Sequence, residues 1–99
     1  MELKIGGIYT SITNDTIIIL NENNEKYFIG VIFNCKSNQE VSEKIEFIHL
    51  TYSYKISNTL KYTIDGYIGK LQDNILHQLQ QKIKKSSFSH AYNSYTIYN

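Results

Sequence analysis

The sequence lacks proline, tryptophan and arginine altogether, and it contains a single cysteine, Cys35. One cysteine cannot close an internal disulfide, which excludes the disulfide-rich secreted domains and fits a reducing compartment. The longest wholly apolar run covers residues 17–20, whereas a membrane-spanning helix needs ~20 such residues. No secretory signal is visible either. These absences predict a cytoplasmic protein without a membrane partner.

The missing arginine also limits the chemistry that the chain can perform. All ten basic residues are lysines, and the net charge is only +1. A lysine has no planar guanidinium fork, so it cannot hold a phosphate through two parallel hydrogen bonds. Any phosphate-handling site in this chain therefore operates without arginine. The charge balance gives no support for a strong field that attracts nucleic acid.

The residues that are present predict one folded domain over residues 1–99. Hydrophobic residues make up 41% of the chain, which is typical of a sequence with a packed core. Ninety-nine residues suffice for one modest core and not for two.

The first third of the chain predicts three strands. Residues 3–12 form the first, with the Gly6-Gly7 pair marking a bulge or tight bend. The β-branched residues 16–20 form the second, and residues 26–34 form the third after a polar turn. Both faces of this third strand are apolar, which is typical of a central strand that is covered on both sides.

The middle of the chain predicts a surface loop and two further strands. Residues 35–44 are polar and favour a loop. Residues 45–54 alternate between apolar and polar side chains, which is typical of a half-buried strand. Residues 59–64 are interpreted as another strand, and Asp65-Gly66 as a turn after it.

A helix over residues 72–85 is the clearest element in the sequence. Leucines and isoleucines between positions 71 and 83 recur at helical spacing and make one apolar stripe. Asp73 is placed to cap the helix start. The tail, residues 86–99, is interpreted as a last strand or a disordered end, with weak alternation favouring the strand. The predicted fold is therefore mainly β within the α+β class, a strongly bent antiparallel sheet or small barrel over residues 3–64 with one C-terminal helix.

Three segments resemble the PemK/MazF toxin family. They are residues 3–9 (LKIGGIY), residues 28–34 (FIGVIFN), and the stretch in which YTID at 62–65 is followed by IGKL at 68–71 and the helix. The resemblance implies an SH3-like barrel with a C-terminal helix. It also implies a dimeric endoribonuclease of single-stranded RNA that an antitoxin protein silences.

Two positions of the family's active site can be carried over to this chain. The family's catalytic threonine corresponds to Thr51. Its phosphate-stabilising arginine corresponds to Tyr27, with Lys26 just before it, so the arginine is lost. The resemblance therefore supports the fold better than the chemistry.

The alternating strand supplies the candidate catalytic residues. Metal-free RNA cleavage needs an acid/base group and a cation near the phosphate. His49 and Thr51 are predicted on one face, His49 as acid/base and Thr51 as phosphate contact, with Lys26 or Lys61 as the stabilising cation. The polar outer face of a half-exposed strand would give the same pattern.

Nine tyrosines provide candidate contact residues. Tyr52 and Tyr54, together with Tyr27 and Lys61, are predicted to contact RNA or a protein partner, although tyrosines also serve as core residues. The spacings of Cys35 and the histidines match no zinc pattern, so we predict no metal and no cofactor.

Three functions remain open from the sequence. The first is the PemK/MazF-like endoribonuclease, in which catalysis is retained or degenerate. The second is a non-catalytic binding module from a phage or plasmid, such as an inhibitor of a host defence nuclease (an anti-CRISPR protein, for example), which acts through protein–protein contacts. The third is a nucleic-acid-binding regulator without catalysis.

Overall fold

The structure is a computed structural model that describes residues 2–85. It contains one antiparallel five-stranded sheet with the strand order β4-β3-β2-β1-β5. The strands are β1 (Gly7–Ser11), β2 (Asp15–Glu22), β3 (Lys26–Phe33), β4 (His49–Tyr54) and β5 (Ile64–Lys70). The helices are α1 (Asn38–Glu43), α2 (Thr59–Thr63) and α3 (Asp73–Lys84), with a single 3₁₀ turn at Ile45–Phe47.

The sheet is strongly bent and is not closed into a barrel. Its register shifts twice between β1 and β5 and once between β2 and β3, after Ile19. Such irregularities bend a strand and increase its twist. Strands β4 and β5 remain at opposite edges and do not pair with each other within the described residues. The predicted mainly β, α+β fold is therefore confirmed in its bent-sheet form.

Each face of the sheet carries its own hydrophobic core. One face packs against α1 and α3, and its buried residues include Ile18, Phe28 and Ile83. The other face packs against α2, and its buried residues include Tyr27, Ile29 and Leu60. Strand β3 contributes to both cores, which confirms its prediction as a central strand.

Helix α3 confirms the clearest sequence prediction, but not its cap. Leu79 and Ile83 are buried, and the Gln80 side-chain amide donates a hydrogen bond of 2.7 Å to the carbonyl of Leu20. Gln72 occupies the N-cap position and makes no side-chain capping bond. Asp73 is instead the first helical residue. The predicted tail, residues 86–99, lies outside the described residues.

The segment after β4 differs most from the sequence prediction. Residues 59–63 form α2 instead of a strand, and Asp65-Gly66 lies inside β5 instead of forming a turn. The chain must cross from one sheet edge to the other here, and Asn58 redirects it with a φ of 57°. Leu60 then anchors the crossing in the core. The sheet consequently extends to Lys70, beyond the predicted boundary at residue 64.

Two smaller predictions were also wrong. Residues 35–44, predicted as a loop, include helix α1, which Ser37 caps by accepting a hydrogen bond from the Glu40 amide. The 3₁₀ turn at Ile45–Phe47 replaces the start of the predicted strand. The helices therefore number more than the single one expected. No helix within residues 2–85 has the length and apolarity to span a membrane.

Candidate binding surface on strand β4

Strand β4 holds most of the predicted site residues, and its pairing decides where they lie. It pairs with β3 without a register shift, from Lys26 opposite Tyr54 to Val31 opposite His49. Directly opposed residues of an antiparallel pair project to the same face of a sheet. Leu50 and the two tyrosines of β4 therefore face α1 and α3, whereas the intervening polar residues face the α2 side.

His49 and Thr51 share one face, as predicted. Thr51 lies opposite Ile29 and is half-buried, while His49 is exposed. Lys61 is exposed on α2, the helix that covers this face through Leu60.

Lys26 lies on the opposite face from His49 and Thr51. It is paired with Tyr54, and its Nζ lies 4.6 Å from the ring centroid of Tyr52 and 5.2 Å from that of Tyr54. The sheet therefore separates the predicted stabilising cation from the predicted acid/base and phosphate contact. The three predicted catalytic residues do not converge on one site.

Tyr52 and Tyr54 form an exposed aromatic pair. Their ring centroids are 5.4 Å apart at an interplanar angle of 88°, the edge-to-face arrangement that aromatic rings prefer. The side chains keep 37% and 47% of their exposure, respectively. The hydrogen bond that the Tyr54 hydroxyl donates to Tyr52 and the negative charge of the Tyr52 phenolate both raise the pKa of Tyr54 above its ordinary value. We call Lys26, Tyr52 and Tyr54 the tyrosine patch.

Tyr27 is not part of this surface. It is 6% exposed and belongs to the core under α2, with the ammonium of Lys55 4.8 Å from its ring centroid. Lys55 in turn forms an ion pair of 2.6 Å with Glu22. The predicted contact role of Tyr27 therefore does not fit its position, because its ring is covered by the protein itself.

A shallow groove continues the tyrosine patch beyond the end of β4. Its lining includes Glu25, Tyr54 and Ile56. Ile56 is 95% exposed and adds an apolar side chain to this lining. Sequence reasoning missed Ile56 because it treated residues 55–58 only as a turn; an isoleucine in an otherwise polar turn was the available signal.

The other titratable candidates within residues 2–85 do not cluster. Residues 2–85 contain no group of three or more histidine, cysteine or acidic side chains that could hold a metal ion. Cys35 is buried, and burial raises the pKa of its thiol. His77 is exposed on α3, and His90 lies outside the described residues.

No protein-family model, curated protein or solved structure matches this chain. The PemK/MazF resemblance therefore depends on the three sequence segments alone.

Proposed function

We propose that this protein is a non-catalytic binding module that docks onto another protein through the tyrosine patch. The observation that carries the proposal is the exposed edge-to-face pair Tyr52–Tyr54 with Lys26 over both rings. Tyrosine is enriched in protein interfaces because it offers a large contact area and a polar end at a small entropic cost. The pair is already arranged before a partner arrives, which lowers the cost of ordering it.

The position of Lys26 gives the endoribonuclease less support than the binding module. Phosphate cleavage requires the cation and the acid/base group on the same side of the scissile bond. Lys26 is instead paired with Tyr54 on the far face of the sheet from His49. A nuclease would have to use Lys61 as the cation.

Three features favour a protein partner over a nucleic acid. Bases bind tyrosines by stacking on open ring faces, but the Lys26 ammonium lies over the rings of Tyr52 and Tyr54. The acidic Glu25 lines the groove next to Tyr54 and raises the pKa of that phenol, so a phosphate would approach a negative charge. The net charge of +1 adds little attraction.

The proposed setting is the cytoplasm of a cell that hosts a phage or plasmid, with a host protein such as a defence nuclease as the partner class. The free, buried Cys35 fits a reducing compartment. Loss of the arginine that the toxin resemblance calls for fits a scaffold that is used for docking instead of cleavage.

The proposal is tested by comparing two exposed tyrosines in a quantitative binding assay. Wild-type protein, Tyr54→Ala and Tyr62→Ala serve as baits against host extract, and the captured protein is then purified and titrated. Tyr62 lies on α2, is 75% exposed and provides the matched control. We expect Tyr54→Ala to weaken binding by roughly tenfold or more, because interface tyrosines often contribute over ~1.4 kcal/mol, and Tyr62→Ala to bind like wild type.

A parallel assay addresses the nuclease. Unstructured RNA is incubated with the protein without metal ions, and we expect it to remain intact. Discrete fragments that disappear in both His49→Ala and Thr51→Ala would contradict the binding-module proposal and support the toxin-like activity.

A further inference from the structure

The groove beyond the end of β4 lies between two turns of the chain. Its lining comes from the turn between β2 and β3 and from the segment that leaves β4: Asn24, Glu25, Tyr54, Lys55 and Ile56. Its volume is about 590 Å³, within the ~300–1,000 Å³ that is typical of ligand sites. That volume has room for one long side chain and the backbone next to it. We call this recess the Glu25 groove.

Backbone hydrogen bonds fix the two segments that form the Glu25 groove. The side-chain oxygen of Asn23 accepts hydrogen bonds of 2.8 Å from the amides of Glu25 and Lys26. On the other side, the Lys55 amide donates a hydrogen bond of 2.7 Å to the Glu25 carbonyl. The backbone that carries Glu25 is therefore already ordered, which lowers the cost of binding a ligand there.

The charges around the groove leave one carboxylate without a counter-ion. Among the described residues that line the groove, Lys55 is the only cation, and its ammonium forms the 2.6 Å ion pair with Glu22. Glu25 is exposed, and it forms no ion pair with any residue in the part of the chain that the structure describes. The groove therefore favours a cationic ligand over an anionic one.

The other walls of the groove suit the two parts of an arginine side chain. Ile56 is exposed and offers an apolar surface to the hydrocarbon stem, and the half-exposed ring of Tyr54 offers a surface to the guanidinium. A guanidinium is planar and weakly hydrated, so it can stack on an aromatic ring while its N–H groups bond to a carboxylate. An ammonium is a compact, strongly hydrated charge and uses these surfaces less well.

We propose that the Glu25 groove binds an arginine side chain of the partner protein, with the guanidinium against Glu25 and the stem against Ile56. This inference rests on the proposed function, because it names the chemistry of the partner that docks on the tyrosine patch. Lys26 contacts the ring of Tyr54 but does not line the groove, so it leaves this recess to the incoming cation. The chain contains no arginine, so the guanidinium must come from a different protein.

The first test titrates the isotope-labelled full chain with three short peptides that differ in one side chain. They are acetyl-Gly-Arg-Gly-amide, its lysine equivalent and its citrulline equivalent, which keeps the shape of arginine without its charge. Backbone chemical shifts measured by NMR follow the binding. We expect the arginine peptide to shift the signals of Glu25, Tyr54 and Ile56. It should bind roughly threefold to fivefold tighter than the citrulline peptide, as an exposed ion pair contributes at best, and also tighter than the lysine peptide.

Two glutamate variants separate the groove from the overall charge of the protein. Glu25→Gln keeps the size of the side chain and removes its charge, so we expect affinity for the arginine peptide to fall roughly threefold to fivefold. The difference from wild type should shrink at high salt concentration, where exposed charges are screened. Glu46→Gln removes the same charge from the exposed 3₁₀ turn outside the groove and should bind like wild type.

Three outcomes would overturn the arginine site. They are the absence of any shift at millimolar arginine peptide, equal binding of the arginine peptide and either of the other two, and unchanged affinity in Glu25→Gln. Thermal unfolding of each variant verifies that it is folded.

Titration of the purified host protein distinguishes this inference from the docking proposal. If Glu25→Gln binds that protein like wild type while Tyr54→Ala binds it weakly, the arginine site fails and docking through the tyrosine patch stands. If Tyr54→Ala binds it like wild type, the docking proposal fails whatever the peptides show.

Discussion

Strands β3 and β4 are neighbours in one sheet, yet their side chains differ sharply in burial. Residues 27–30 of β3 are all buried, and this strand supplies both cores. No residue of β4 is fully buried, and its most exposed side chains include an aromatic pair. The comparison shows that the central strand supplies the cores, whereas the edge strand, which we propose as the docking surface, keeps its side chains partly exposed.

The largest expected effect is a loss of stability when a buried side chain of β3 is shortened. Phe28 is 1% exposed and packs between the sheet and α3. We expect Phe28→Ala to lower the free energy of unfolding by ~3–5 kcal/mol, because it removes transfer energy and leaves a cavity. Urea unfolding measures the change. Tyr54→Ala on β4 should cost far less, and an equal loss for the two variants would contradict the division between the strands.

A smaller effect is expected where β3 contacts Ile48, the residue that precedes β4. A methyl group added at Gly30 of β3 would meet the Cγ2 atom of Ile48 at 2.6 Å. We expect Gly30→Ala to destabilise the protein by ~1–3 kcal/mol through overpacking.

Ile48→Ala removes the atom that clashes, so the double variant should lose less stability than the sum of the two single variants. A double-mutant cycle from denaturant unfolding measures this coupling. Additive losses would show that Gly30 is required for a reason other than the close approach of Ile48.

The smallest effect concerns the β4 surface and involves ionisation instead of stability. The hydrogen bond that the Tyr54 hydroxyl donates to Tyr52 is the main cause of the raised pKa of Tyr54. Tyr52→Phe removes that bond, and it also removes the negative charge that Tyr52 acquires at high pH. We therefore expect the pKa of Tyr54 to fall toward its ordinary value of 10.0. Tyrosines resolved by NMR during a pH titration report the shift, and Tyr62→Phe should leave it unchanged.

The sequence correctly predicted those elements that residue periodicity within a single segment indicates. The apolar stripe on α3 and the two apolar faces of β3 depend on periodicity within one segment. The same is true of the alternation along β4, which correctly placed His49 and Thr51 on one face. Helix α2 was missed because five residues are too few for a helical period to show, and because the crossing between sheet edges is what requires it.

The positions of the candidate site residues were predicted only in part. Tyr52 and Tyr54 were expected to be contact residues, and they are exposed. Tyr27 was expected with them but lies in a core, since a strand pattern with two apolar faces does not indicate which tyrosine remains uncovered. The contact of Lys26 with both tyrosines was not foreseen, because it depends on the register of two strands that lie far apart in sequence.

The sequence by itself determined that the chain forms strands and a C-terminal amphipathic helix. Within each of these segments, the spacing of the apolar residues follows the repeat of the strand or helix that buries them. Only the tertiary structure decided that β5 pairs with β1 and that Lys26 faces Tyr54 instead of His49. The physical reason is that strand order and register depend on contacts between distant segments, and a shift of one residue exchanges the two faces of a strand. Such a shift would decide whether Lys26 lies on the face of His49 and Thr51 or on the face of Tyr52 and Tyr54.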